Sequence, residues 1–252
     1  MSSGAPRRIA ALYDIHGNLP ALEAVLEEVE AADVDLIVAG GDVVMGPMPR
    51  ETLARLLDLD TPVEFIQGNC EREMLAVLAG APVTVPDAVR PILQWTGDQL
   101  SAGERALIAG WPATRRVTPA GLDDVLFCHA TPRNDTDIFT RLTPDERLVL
   151  VFGCLDVPLV VCGHTHMPFD RTIGRVRVVN AGSVGMPFGA PGADWLIIGS
   201  GVEPRHTSYD LARTAESIRA SDYPQAEDFA ANYVLQPPSE AAMLAAFSKA
   251  EL

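Results

Sequence analysis

The chain has few means of cross-linking itself and little positive charge. Its four cysteines, Cys70, Cys128, Cys154 and Cys162, include no Cys-x-x-Cys pair. Such usage excludes a disulfide-dense scaffold and reads as reduced, buried thiols. No apolar run approaches the roughly 18 residues that cross a bilayer. The start, Met1-Ser2-Ser3-Gly4-Ala5-Pro6-Arg7-Arg8, is polar, and the apolar stretch at 9–12 is too short for a secretion signal. The expected location is the cytoplasm, with no membrane partner. Arg and Lys number 19 against 34 Asp and Glu, for a net charge of −15. An acidic surface repels phosphate backbones, so bulk nucleic acid is a disfavoured partner. A small phosphate ester stays open as a substrate, because cations held in one pocket would still draw it. Internal repeats and low-complexity tracts are absent too.

What is present describes a globule. With 252 residues, 48% of them apolar and 21% charged, the chain can bury a substantial core. Residues 7–13 read as a strand followed by the loop Asp14-Ile15-His16-Gly17-Asn18. Asn18 suits a helix N-cap, Pro20 its first turn, and Leu22, Val25, Leu26 and Val29 mark its buried face. A second strand at 35–39 ends in Gly40-Gly41-Asp42, and a third at 63–67 ends in Gly68-Asn69. Asp14 to Asp42 is 28 residues and Asp42 to Asn69 is 27, about one strand-helix unit of ~30 residues each time. Polar residues at one end of successive parallel strands are where α/β proteins place their sites.

Residues 70–122 are Ala- and Leu-rich helical segments that cover the sheet, with a capping box at Ser101-Ala102-Gly103-Glu104. Strands at 115–117 and 124–128 follow, the second delivering His129. Thr143-Pro144-Asp145-Glu146 reads as a helix start capped by Thr143. A buried strand at 158–162 ends at Gly163-His164-Thr165-His166. A hairpin through Gly174 and another across Gly201 give the second half a hairpin-rich sheet. The remainder, 209–252, is mostly helical, with breaks near Tyr223-Pro224 and Pro237-Pro238. It is read as an extension of a 1–208 domain, packing on its core; a dimer contact, and hence a homo-oligomer, or an edge of the active site are the alternatives for it.

Four of the five histidines fall in these strand-end motifs. Residues two apart on an extended segment point the same way, so Asp14 should converge with His16, and His164 with His166. The fifth, His206, sits on a late alternating strand and reads as structural.

Asp14-x-His16, Gly41-Asp42, Gly68-Asn69, His129 and Gly163-His164-x-His166 together resemble the signature of the calcineurin-like metallophosphoesterases. The resemblance spans roughly residues 7 to 185 and includes the loop Asn180-Ala181-Gly182-Ser183-Val184. It implies an α/β fold, a four-layer α/β-β/α sandwich of two mixed sheets flanked by helices. It also implies two divalent metal ions. Asp14, His16, Asp42 and His166 would hold one; Asp42, Asn69, His129 and His164 would hold the other. Mixed nitrogen and oxygen ligands suit Mn, Fe, Zn, Co or Ni, with manganese the first expectation.

The chemistry implied is hydrolysis of phosphodiester or nucleotide phosphoanhydride bonds by a metal-bridging water, acidified to hydroxide. Many members follow Gly-Asn with a histidine beside the leaving group. Here Cys70 stands there, followed by Glu71, which resembles a small bacterial phosphodiesterase branch. Val43-Val44-Met45-Gly46-Pro47 replaces the Asp-Arg-Gly of protein phosphatases and counts against that activity. Asp42, Asn69 and His129 are the catalytic candidates. Glu71 is a candidate acid, and Arg133 and Arg72 are candidate phosphate clamps, although surface ion pairing accounts for both arginines as well. Cys70 is read as a small filler beside the metals. A broad phosphomonoesterase and a non-enzymatic scaffold on the same fold are the alternatives.

Overall fold

The structure, a computed structural model, describes residues 4–250 and 252; the first three residues of the polar start and residue 251 lie outside it. In chain order it runs β1 (Ile9–Leu12), α1 (Leu19–Ala31), β2 (Leu36–Ala39), α2 (Pro49–Leu57), β3 (Val63–Phe65) and α3 (Asn69–Leu78). Next come α4 (Arg90–Gln99), α5 (Ala102–Ala109), β4 (Thr114–Val117), β5 (Val125–Cys128), α6 (Asp145–Phe152) and β6 (Leu159–Cys162). The hairpins β7 (Phe169–Ile173)/β8 (Val176–Asn180) and β9 (Ala193–Ile198)/β10 (Val202–Thr207) follow. The tail holds α7 (Leu211–Arg219), α8 (Ala226–Phe229), a π-helical turn (Ala230–Leu235) and α9 (Glu240–Phe247).

Two five-stranded mixed sheets form, in the orders β10-β9-β1-β2-β3 and β4-β5-β6-β8-β7. In the first, β1, β2 and β3 are parallel; in the second, β5, β6 and β8 are parallel. All four residues of β1 are buried because both faces of the strand are covered. Alternation sends Ala10 and Leu12 toward Leu22, Val25 and Leu26 of α1. It sends Ile9, Ala11 and Tyr13 the other way, onto Phe127 and Val161 of the second sheet. The outer face of that sheet is closed by Leu148 and Phe152 of α6, in a cluster that includes Cys128 and Cys162. Helix, sheet, sheet, helix is the four-layer sandwich expected.

Three local expectations are corrected. The β9/β10 hairpin does not extend the second sheet: β9 pairs antiparallel with β1, Ile9 opposite Ile198, so the chain returns to the first sheet. Strand patterning tells which faces are buried but not which partner covers an edge. Thr143 does not cap α6. Its hydroxyl accepts from the Thr140 N–H at 2.8 Å, tightening the preceding turn, and Pro144 sits at the cap instead. Cys154 is exposed, unlike the other three thiols.

The helix caps and the cover of the first sheet agree with the sequence reading. Asn18 caps α1 by accepting from the Ala21 N–H, and Ser101 and Glu104 form the capping box of α5. Helices α4 and α5 cover the first sheet through Leu93, Leu100 and Ile108. The tail packs Ala215, Ile218, Phe229 and Val234 with Ile92 of α4, against Met45, Met48 and Met186 of the strand-end loops. No helix among the described residues is long and apolar enough to cross a membrane.

Candidate metal centre

Every expected ligand lies beyond the C-terminal end of a parallel strand: Asp14 after β1, Asp42 after β2, Asn69 after β3 at the sheet edge, His129 after β5, and His164 and His166 after β6. The extended chain expected at Asp14–His16 and His164–His166 is not what aims them. Asp14, His16, Asp42, His164 and His166 all take left-handed backbone, with φ of 52°, 49°, 51°, 66° and 56°. For residues other than glycine this costs on the order of 1–3 kcal/mol each, and it persists only where surroundings impose it. Here loops bind loops. The N–H of Asp14 donates to Gly41 O at 3.1 Å, that of His16 to Asp42 O at 2.9 Å, and that of Gly163 to His129 O at 2.8 Å. One Asp14 oxygen, Oδ2, accepts from the His164 N–H at 2.8 Å. Gly68 is required by proximity, since a Cβ there would run into Asp42 Oδ1.

Three imidazoles are fixed by backbone carbonyls. His16 Nδ1 faces Met45 O at 3.1 Å, His166 Nδ1 faces Met186 O at 2.8 Å and His129 Nδ1 faces Gly40 O at 3.0 Å. A carbonyl only accepts, so each Nδ1 carries the proton and donates it. Each Nε2 lone pair is thereby presented to the centre, as a ligating histidine requires.

The presented atoms meet. His16 Nε2 and His166 Nε2 lie 3.2 Å apart, two acceptors face to face. Asp14 Oδ1 is 3.3 Å from the second and 4.0 Å from the first. Asp14 Oδ1 is itself buried without any hydrogen-bond partner. On the other side His129 Nε2 is 3.0 Å from Asn69 Oδ1 and 3.5 Å from Asp42 Oδ2. The Asn69 amide is turned that way because its Nδ2 points to Cys70 Sγ at 3.6 Å. Buried acceptors crowded without donors are costly unless a cation satisfies them, so the residues present fit metal ions. Three groups emerge with ligand atoms within 4.8 Å of one another: Asp14, His16 and His166; Asp42, His129 and His164; and, between these, His16, Asp42 and Cys70. His164 and His166 therefore serve different groups rather than converging. Asp42 Oδ2 stands between, 4.0 Å from His16 Nε2 and 3.5 Å from His129 Nε2.

The field within the cluster follows from burial and these contacts. Burial resists charge on Asp42 and Asp14, but the surrounding imidazoles, His129 for the first and His166 for the second, outweigh it and hold both carboxyls below their usual range. Burial also opposes charge on His129, yet Asp42 and Asp14 hold it up at about 10. Burial and the nearby His129 push His164 down to about 4. Because Nδ1 already donates to a carbonyl, the second proton so favoured on His129, and likewise on His166 beside Asp14, would sit on Nε2, the atom a metal ion would take instead.

Glu71 is corrected from acid to scaffold. It is fully buried and its carboxylate accepts four backbone N–H bonds: from Asp42 and Gly68 on Oε2 (2.9 Å each), and from Val43 and Val44 on Oε1 (2.7 and 3.2 Å). Burial lifts its carboxyl to about 7, but all four partners are donors, which is the pattern of an anion with no proton to give. Arg72 is paired bidentately with Asp135, at 2.6 and 3.0 Å, and Arg133 is paired with Asp137. Neither is a free phosphate clamp. Cys70 donates its thiol to Asp42 Oδ2 at 3.0 Å. Burial, with the carboxylates of Asp42 and Glu71 beside it, pushes that thiol well above the ordinary range, so it stays protonated.

Other residues brace the ligands, some on the 180–184 loop of the resemblance and some outside any motif. Ser183 donates to Asp14 O at 2.7 Å, and Asn180 donates to Gly163 O at 2.6 Å, so the 180–184 loop braces two ligand loops. Phe188 stacks on His166 at 4.9 Å. The carbonyls of Gly40, Met45 and Met186 carry no side-chain signature at all.

Comparison with known proteins agrees with this geometry. The profile of the calcineurin-like phosphoesterase superfamily domain matches residues 8–198. The phosphodiesterase YfcE of Escherichia coli strain K12 is 27% identical over 198 residues, covering 75% of this chain and 85% of its own. A metallophosphoesterase from Sphaerobacter thermophilus superposes with a TM-score of 0.71 at 26% identity, covering 92% of this chain and all (100%) of its own. A hypothetical protein from Pyrococcus horikoshii has the same fold, with a TM-score of 0.78 at 19% identity over 92% of this chain and 99% of its own. The chain belongs to the calcineurin-like phosphoesterase superfamily and is a phosphoester hydrolase of that metal-dependent family.

Proposed function

We propose that the protein is a dinuclear metal-dependent phosphodiesterase, cleaving phosphodiester or nucleotide phosphoanhydride bonds of small substrates. The observation that carries this is the pairing of two acceptor clusters around Asp42, with His16 and His166 opposed at 3.2 Å and His129 opposed to Asn69 at 3.0 Å. Asp14, His16, Asp42 and His166 would hold one ion, and Asp42, Asn69, His129 and His164 the other. Two bound divalent ions acidify water and polarise ester oxygens at neutral pH.

The chain's own groups set what can leave. Where relatives of the family place a histidine, Cys70 keeps its proton on a hydrogen bond to Asp42, and Glu71 is spent on four N–H donors. With neither positioned to protonate an alkoxide, leaving groups that depart as stable anions are favoured, namely aryl alcohols and phosphates. The engagement of Arg72 and Arg133 by Asp135 and Asp137 favours singly charged diesters over doubly charged monoesters, since the extra charge finds no free guanidinium there. The diesterase name of the E. coli relative points the same way.

The test is hydrolysis of bis(4-nitrophenyl) phosphate and of 4-nitrophenyl phosphate across Mn, Fe, Co, Ni and Zn, with products identified. Mn-stimulated cleavage that prefers the diester and is lost on Asp42→Asn is expected. Equal rates in excess chelator would overturn the reading.

A further inference from the structure

Between the tail and the metal loops lies a cavity of about 180 Å³. Its walls are Met45, Met186, Ile92, Phe229, Tyr223 and Tyr233, with Gln225 and Asp228 among its polar groups. Two of these residues reach directly into the centre: the carbonyl of Met45 holds the His16 ring and that of Met186 holds the His166 ring. The cavity therefore adjoins the centre on its His16/His166 side.

We propose that this cavity receives a flat, unsaturated ring of the phosphoester, an aryl group or a nucleobase, while the phosphate stays at the metal centre. The proposal rests on the phosphodiesterase reading above and adds the part of the substrate that the tail recognises. Size is the first argument. An apolar cavity of roughly 150 Å³ takes a benzene ring, so this one fits one ring system and not a whole nucleotide. Lining is the second. Methionine thioethers are polarizable and adapt to ring edges, and aromatic walls favour offset or edge-on contact. Phe229 already lies between Tyr223 and Tyr233, with ring centres 6.0 and 5.7 Å away. Charge is the third. No basic side chain lines the cavity among the described residues, and Asp228 does, so an anionic phosphate is turned away and a neutral ring is admitted. The backbone supplies the fourth. Tyr233 is carried on the π-helical turn Ala230–Leu235, a rare geometry that proteins keep mostly where a site needs it.

The experiment uses the full chain with 13C-methyl-labelled methionine. In metal-free protein, adenosine and 4-nitrophenol are added separately, with inorganic phosphate as control. One or both ring probes should shift the Met45 and Met186 methyl signals, and phosphate should not. Val89→Phe, which fills the cavity from the N-cap of α4, where Val89 also lines it, should abolish the shifts. It should also raise KM for bis(4-nitrophenyl) phosphate by about tenfold or more, the scale on which apolar pockets discriminate. Gln225→Phe fills from the exposed side and serves if the first variant does not fold. A response to adenosine alone assigns a nucleobase, and a response to 4-nitrophenol alone assigns an aryl group. Absence of shifts from both probes, or equal shifts in the filled variants, overturns the proposal even if the enzyme hydrolyses diesters. Shifts that persist in a protein without hydrolytic activity on any metal would instead leave the ring site standing and remove the phosphodiesterase reading.

Discussion

The Nε2 atoms of His16 and His166 face each other at 3.2 Å with their protons on the opposite nitrogens, committed to Met45 O and Met186 O. Without a cation this contact opposes folding; with one it favours binding. His166→Leu should therefore raise Tm in chelator while shrinking the rise in Tm that Mn produces. Ligand binding to the native state adds about 2.7 kcal/mol at a hundredfold excess over Kd, which thermal unfolding with and without Mn resolves easily. A fall in Tm for the metal-free variant would show that the ring is a packing element first.

Glu71 ties Gly68 to the loop of Asp42 by four N–H bonds. Glu71→Gln keeps the shape but turns an NH2 group toward two of those donors. Leaving buried donors unpaired costs roughly 1–3 kcal/mol each, so urea unfolding should show a loss of about 2–6 kcal/mol for the two. Activity should fall because Asp42 shifts, and the basic limb of the pH–rate profile should keep its position. A profile that loses that limb would restore Glu71 as the acid.

The candidate ligands stand out in the sequence because imidazole, carboxylate and amide groups fall at strand ends at unit spacing, and the resemblance to the family sorts them into two sets. The four layers are implied by the resemblance, and the burial of β1 on both faces agrees with them. What escaped depended on groups that every residue carries or on the absent third dimension. The carbonyl of Met186 orients His166 whatever its side chain is. Left-handed φ at His164 and His166 cannot be read from their names, so spacing alone makes the two rings converge, whereas the resemblance already gives them to different ions. Glu71 and the two arginines misled for a related reason. An ionisable residue next to a motif suggests chemistry, and only coordinates reveal that backbone donors or neighbouring aspartates already occupy it.

Asp137 organises the loop that follows His129: its carboxylate accepts from the Thr131 and Asn134 side chains (2.7 Å each) and from Arg133, and its N–H donates to Asn134 Oδ1 at 2.7 Å. Burial raises its carboxyl, but the bonds from Arg133, Thr131 and Asn134 prevail and hold it below the usual range. A depressed folded value means that the stabilisation is complete above the unfolded carboxyl value of about 3.9 and is lost as pH falls through the folded one. The Tm difference between wild type and Asp137→Ala should be constant from neutral pH down to about 5 and close toward zero in stronger acid. A gap that widens on acidification would contradict the sign.

Cys70 occupies the place where a leaving-group histidine stands in other members, and it donates to Asp42 Oδ2 at 3.0 Å from a thiol held in its protonated form. Two roles follow different rules. A nucleophilic sulfur works as thiolate, so serine in its place, with a far less acidic hydroxyl, would abolish turnover. A donor to Asp42 works through its proton alone, and serine supplies the same bond at similar length. Cys70→Ser should therefore keep kcat on an aryl diester within about tenfold, a difference of about 1.4 kcal/mol in barrier, and should stop any inactivation by thiol-alkylating reagents that reach this buried site. Loss by three orders of magnitude or more, with the metal content unchanged, would make sulfur chemistry part of the reaction and remove the water-based mechanism.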